Sequence, residues 1–189
     1  MSAWIETYTG RRFPILEPKP ELVDIEDIAH ALSMQCRFTG HTKKFYSVAE
    51  HCWNVSLLSK PDYLWGLLHD ASEAYLSDLS RPVKQLTPLG PPYLEIEDKL
   101  MRAICIRFAL TPNPEGLMPV TVKRADNTML MTEKEQLMGD LSWAEDNSSN
   151  SKSMNPVIET AIKTKLHCWT PTEAETYFLE RYHFLRGEM

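Results

Sequence analysis

The stretch Ser47–Asp78, SVAEHCWNVSLLSKPDYLWGLLHDASEAYLSD, decides the fold. Ser47 followed by Glu50 is a capping-box signature that opens a helix from Val48 to about Ser59. Val48, Cys52, Val55 and Leu58 recur on it at helical steps, an apolar stripe that must face a core. Pro61–Asp62 starts a second helix running through Leu76. Polar residues interrupt both stripes. His51 sits among the apolar positions of the first helix, and on the second His69 follows Trp65 by four while Asp70 precedes Ala74 by four.

Toward the N-terminus, Asp24 or Asp27 can cap a short helix through Ile28–Leu32. Ahead of it, Trp4–Tyr8 and Arg11–Ile15 flank the turn Thr9–Gly10, predicting a small hairpin over about residues 4–15. Toward the C-terminus, Pro91–Pro92 precede a long helix, Tyr93–Leu110, with Ile96, Leu100, Ile104 and Phe108 in helical register. Pro112–Pro119 reads as a loop, and helical periodicity resumes over Val120–Asp140. There Asp126 lies between Val122, Ala125, Met129 and Leu130. Asn147–Ser153 (NSSNSKS) is a polar loop, too short to divide domains. C-terminal helices are expected over about 154–186, the last opened by Thr170, Pro171 and Glu173 and ended by Gly187. The fold class is all-α, one domain over 1–189, with a helical core over about 24–140 behind the hairpin.

Composition narrows the function classes. The chain has 189 residues, 43% of them hydrophobic, enough for a real core. Its net charge of −6 gives no basis for stable nucleic-acid binding, so phosphate chemistry here requires local cations or a metal. Met1–Gly10 lacks a secretory pattern and no apolar run spans a bilayer, so a soluble, cytoplasmic protein with no membrane partner is expected. Cys36, Cys52, Cys105 and Cys168 show no CxxC spacing and read as reduced thiols. The aromatic C-terminus (Trp143, Trp169, Tyr177, Phe178, Tyr182) leaves room for a helix-mediated homo-oligomer, though core packing is the commoner use.

An inward-facing carboxylate needs a partner, because burying one unpaired costs several kcal/mol, on the order of a whole core side chain. One divalent ion satisfies His51, His69, Asp70 and Asp126 together, since imidazole and carboxylate both ligate zinc, manganese, iron or cobalt. Spacing alone leaves the alternative open: hydrogen-bonded core histidines beside capping or ion-paired aspartates.

The same residues carry a resemblance. His51, then His69–Asp70, then a distant Asp126 resembles the H…HD…D pattern of the HD-domain metal-dependent phosphohydrolases. Its surroundings, Tyr46–His51 (YSVAEH), Leu67–Asp78 (LLHDASEAYLSD), Arg81–Lys84 (RPVK) and Lys123–Asn127 (KRADN), look like the small single-domain branch of that family. That branch includes bacterial 5′-deoxynucleotidases and related phage and biosynthetic deoxynucleotide triphosphohydrolases. The likeness covers roughly residues 4 to 140.

The resemblance implies helices around one divalent transition metal held by His51, His69, Asp70 and Asp126, and hydrolysis of a nucleotide 5′-phosphate without a covalent intermediate. It implies catalytic roles for Glu73, which orients water or moves a proton, and for Asp78 near the leaving group. Arg37–Phe38 matches an arginine–aromatic pair that touches phosphate and sugar, with Phe38 where family members often carry Trp. Lys84 and Lys123 match lysines that approach the distal phosphates in triphosphate-cleaving members, and Tyr75 and Pro82 would wall a base pocket. Hydrolysis of a triphosphate to nucleoside plus tripolyphosphate and of a monophosphate to nucleoside plus phosphate both stay open. The hairpin-first layout, Arg81–Lys84 and Lys123 look more like the triphosphate branch. The alternatives are a cyclic-nucleotide or oligonucleotide phosphodiesterase, and a non-catalytic regulatory module that keeps its metal.

Overall fold

The computed structural model describes residues 3–113, 118–138 and 165–188. It is helical, with one two-stranded antiparallel hairpin at the N-terminus. The strands β1 (Ile5–Glu6) and β2 (Arg12–Phe13) are shorter than predicted. The cause lies in the turn, where Thr9 leaves the ladder to donate its amide to Asp27 Oδ1 at 2.7 Å and its hydroxyl to Oδ2 at 3.1 Å. Gly10 supplies the positive φ of 80° that this turn needs. Asp27 therefore straps the hairpin to α1 (Ile25–Met34), while Asp24 caps that helix by accepting from the Glu26 amide.

Ser47 caps α2 (Val48–Leu58) as expected, but only half of the capping box forms. The Glu50 side chain turns the other way, to the far end of the chain. The predicted helix from Pro61 to Leu76 is broken into α3 (Tyr63–Leu68) and α4 (Glu73–Leu76). Between them Ala71 bonds Leu68 and Glu73 bonds Asp70 through tight three-residue backbone links. His69 and Asp70 stand at the start of this turn, and their side chains meet with His69 Nε2 3.2 Å from Asp70 Oδ2. Gly66 permits the close α2–α3 approach, since a Cβ there would lie 2.4 Å from Ser59 Oγ.

Arg81–Leu86 forms a short helix, α5, followed by α6 (Gly90–Phe108), which starts ahead of the predicted Tyr93 with Pro91 and Pro92 in its first turn. Helix α7 spans Val120–Leu137, and the rest of its predicted extent to Asp140 lies outside the described residues. So do the polar loop at Asn147–Ser153 and residues 154–164 of the predicted C-terminal helices. The last helix, α8 (Pro171–Arg186), has both halves of its capping box and ends at left-handed Gly187.

Packing follows the stripes. Phe13, Ile28, Leu32, Leu67, Leu68, Leu100, Ile104, Met129 and Phe178 are fully buried in one cluster, each contributing about 1.5–3 kcal/mol. Helix α8 lies against α1, α2 and α3, and α7 against α2 and α3. Trp169 packs on Trp53, His167 and Tyr177, Phe178 and Tyr182 enter the core, and Trp143 lies outside the described residues. The four cysteines are free thiols. Among the described residues no helix is long and apolar enough to cross a membrane.

Candidate metal centre

Three elements deliver the predicted side chains to one point. His51 projects from α2, His69 closes α3, Asp70 follows it in the tight turn, and Asp126 comes from α7. His51 Nε2 lies 3.2 Å from His69 Nε2, 3.3 Å from Asp126 Oδ1 and 3.7 Å from Asp70 Oδ2. His69 Nε2 is 3.2 Å from Asp70 Oδ2 and 4.0 Å from Asp126 Oδ1. The imidazoles form a dry floor at 0% and 1% side-chain exposure, and the carboxylates a rim open to solvent at 22% and 34%.

The opposite ring nitrogens fix how the histidines present themselves. His51 Nδ1 donates to Glu133 Oε1 at 2.6 Å, and His69 Nδ1 donates to the Gly66 carbonyl at 2.8 Å. Both rings thus turn Nε2 toward each other. Two neutral imidazoles in this arrangement oppose lone pairs, so a proton or a cation must sit between them. His51, His69 and Asp126 offer ligand atoms all within 4.8 Å of one another, as do Cys52, His69 and Asp70. This donor set can hold a metal ion, and two nitrogens with carboxylate oxygens suit a divalent transition metal.

Glu133 is a residue of this cluster that sequence reasoning missed. It lies two helical turns beyond Asp126 on α7, on the same face, and its carboxylate is fully buried. The inward register of positions 126, 129 and 133 was the available signal. Its second oxygen accepts from Arg37 Nε at 3.0 Å. Burial alone would raise the Glu133 pKa, but Arg37 and His51 outweigh it and hold the group ionised.

The same balance runs through the site. Burial opposes the charge on Arg37, yet Glu133 and Asp70 raise its pKa further. Burial would depress His69, but Asp70 and Cys52 lift it well above its ordinary 6.5. Asp70, despite burial, is driven low by His69, His51 and Arg37. Burial raises Glu73 well above the usual carboxylate range, helped by Asp70 and Asp78. Burial also pushes the Cys52 thiol up to about 11.

A cavity of about 390 Å³ opens beside the cluster, walled by Trp65, Leu94, Met101 and Met118, with His69, Asp70 and Glu73 at its inner side. Glu73 starts α4 rather than continuing the His69 helix, and reaches the site through the turn. Arg37 stands 3.6 Å from Asp70, and its guanidinium lies over the Phe38 ring at 5.4 Å. Phe38 and Thr39 both adopt left-handed backbone in the short turn Arg37–Gly40. Lys84 lines the cavity but is held by Asp78 at 2.6 Å and Glu97 at 3.1 Å, so Asp78 faces that lysine. Lys123 is exposed on α7, one turn before Asp126. Tyr75 does not wall this cavity; it is buried under the hairpin, stacked on Phe13 and bonded to the Asp24 amide. Pro82 is exposed on α5, outside the cavity lining.

Fold and site together define an all-helical protein with a buried His/Asp cluster able to hold a metal ion. No family model matches the chain. Over 97% of its length it is 35% identical to an uncharacterized protein of Rhodobacter capsulatus, covering 95% of that protein. Over 97% it is also 34% identical to the uncharacterized protein YfdR of Escherichia coli strain K12, covering 96% of it. The chain belongs to the family of these proteins.

Proposed function

We propose that this protein is a metal-dependent phosphohydrolase of the HD type, removing 5′-phosphate groups from (deoxy)nucleotides. One divalent transition metal would be held by His51, His69, Asp70 and Asp126. The observation that carries the reading is the 3.2 Å approach of two Nε2 atoms whose Nδ1 partners are already fixed, with two carboxylates at the same point. When bound, such an ion lowers the pKa of water and neutralises charge at phosphorus.

The chain's own groups supply the rest. Arg37 brings a permanent positive charge beside Asp70, suited to a phosphate oxygen. Glu73 lines the cavity next to the cluster, where a carboxyl with a raised pKa can exchange a proton with water or leaving group. Trp65, Leu94 and Met101 offer the apolar wall that a nucleoside needs.

Charge favours the shorter phosphate. Lys84 is the one lysine or arginine among the described residues that line the cavity, against Asp70, Glu73, Glu97 and Asp98, and two acids already hold it. A triphosphate would bring about four negative charges into that acidic space, against about two for a monophosphate. The test is a panel of nucleoside mono- and triphosphates incubated with manganese, cobalt or zinc, with products separated by chromatography. Nucleoside plus phosphate is the expected outcome, nucleoside plus tripolyphosphate assigns the triphosphate branch, and no turnover on either set defeats the hydrolase reading.

A further inference from the structure

The geometry points to Glu133 as a positioning residue that registers the phosphate-binding arginine on a metal ligand. This inference rests on the metal reading of the His/Asp cluster. One carboxylate spends its two oxygens on two different parts of the site: Oε1 accepts from His51 Nδ1 at 2.6 Å and Oε2 from Arg37 Nε at 3.0 Å. The partners come from separate segments, α2 and the turn before it, while Glu133 itself comes from α7, 82 residues beyond His51.

Each bond has a distinct consequence. The His51 bond fixes the ring tautomer and aims Nε2 at the cluster, the usual means by which an outer carboxylate orients a metal-ligating histidine. The Arg37 bond fixes the guanidinium plane through Nε and leaves Nη1 facing Asp70 Oδ2 at 3.6 Å. Because the two oxygens belong to one rigid group, the distance between cation and guanidinium is set by Glu133 rather than by two flexible side chains. Glu133 and the His51 side chain are fully buried, and Arg37 is only 15% exposed, so water cannot replace a lost partner at little cost.

The experiment separates the metal step from any turnover. Cobalt(II) binding to wild type and Glu133→Gln is measured by calorimetry and by the visible d–d absorption of the bound ion. Inorganic phosphate is then titrated into the cobalt-loaded proteins, with Arg37→Met made in both backgrounds. Glu133→Gln should weaken cobalt binding by about tenfold to a hundredfold and alter the absorption band. Arg37→Met should weaken phosphate binding in the wild-type background and have under about a third of that effect beside Glu133→Gln, the non-additivity of residues acting as a unit. Cobalt affinity within about twofold of wild type, or additive phosphate effects, overturns the proposal. Should Glu133→Gln fail to fold by circular dichroism, Glu133→Asp, which withdraws the charge from both partners by one methylene, runs the same titrations under the same criteria. If wild type binds no cobalt, this proposal and the metal reading fall together. If cobalt and phosphate behave as expected but no nucleotide is hydrolysed, only the substrate reading fails.

Discussion

Glu50 and Trp169, 119 residues apart, are joined by a 2.7 Å hydrogen bond from the Trp169 amide to the Glu50 carboxylate. The amides of His167 and Cys168 donate to the other oxygen at 2.8 and 3.0 Å, so one fully buried side chain gathers three consecutive backbone donors. That clasp seats the segment leading into α8 on α2, immediately beside His51. Glu50→Ala would leave three part-buried amides without their acceptor, each worth roughly 1–3 kcal/mol when unsatisfied, partly relieved as the segment moves into water. The expected loss is about 2–4 kcal/mol, read from urea denaturation. Glu50→Gln keeps one acceptor oxygen and should lose less than half as much; equal losses would show that packing, not the hydrogen bonds, holds the segment.

Metal binding should tighten with pH in a window set by His69. Its folded pKa lies well above 6.5, raised by Asp70 and Cys52 against burial. A raised histidine contributes stability that is complete below the unfolded value and disappears as pH climbs through the folded one. The metal-free protein therefore loses this contribution above about pH 6.5, while a cation on Nε2 requires the neutral ring. The gain in Tm from saturating manganese or cobalt should be larger near pH 8 than near pH 6, at about the same ionic strength. Thermal scans across that range check it, and a gain that shrinks with pH would remove His69 from the ligand set.

What was legible in the sequence is what local rules encode. Ser47, Thr170 with Glu173, and Gly187 announced helix ends because caps act over three or four residues. His51, His69, Asp70 and Asp126 stood out because each is ionisable on an apolar stripe. Glu133 shares the inward face of Asp126, but its partners lie 82 and 96 residues away, and no spacing rule pairs residues that far apart. Glu50 was misread for the same reason: a capping-box position competed with three amides from the other end of the chain, and the amides took the carboxylate. The break at Asp70–Ser72 was hidden because the apolar period continues through it, although the backbone tightens there. The pairing of Lys84 with Glu97 on α6 was likewise beyond any local pattern.

That last pairing gives a test of phosphate number. Asp78 and Glu97 raise the Lys84 pKa against burial and hold its ammonium at the cavity edge. Lys84→Met should change KM for a nucleoside monophosphate by less than about threefold and cost no more than about 1 kcal/mol of stability, the range of partly exposed ion pairs. Steady-state kinetics on both substrate sets decide the matter. A rise of about tenfold or more in KM confined to triphosphates would place Lys84 on a distal phosphate.

Glu73 offers the sharpest separation of chemistry from architecture. Burial raises its carboxyl well above the ordinary range, with Asp70 and Asp78 adding to the shift and Arg37 and Lys84 only partly opposing it. A carboxyl with a raised folded pKa destabilises the fold at pH values above its unfolded one, because the charged form is disfavoured where it sits. Glu73→Gln removes that penalty while keeping shape and hydrogen bonding, so Tm should stay level or rise slightly. The amide cannot accept or release a proton, however, and kcat should fall by about 10²- to 10⁴-fold, the usual worth of a positioned acid or base. Metal content and KM should remain near wild type, since Glu73 lies outside the His51, His69, Asp70 and Asp126 set. Lost activity with retained metal and equal or higher Tm would mark a residue kept for reaction rather than folding. Activity within a few-fold of wild type would return Glu73 to the status of a half-buried acid with no part in the chemistry.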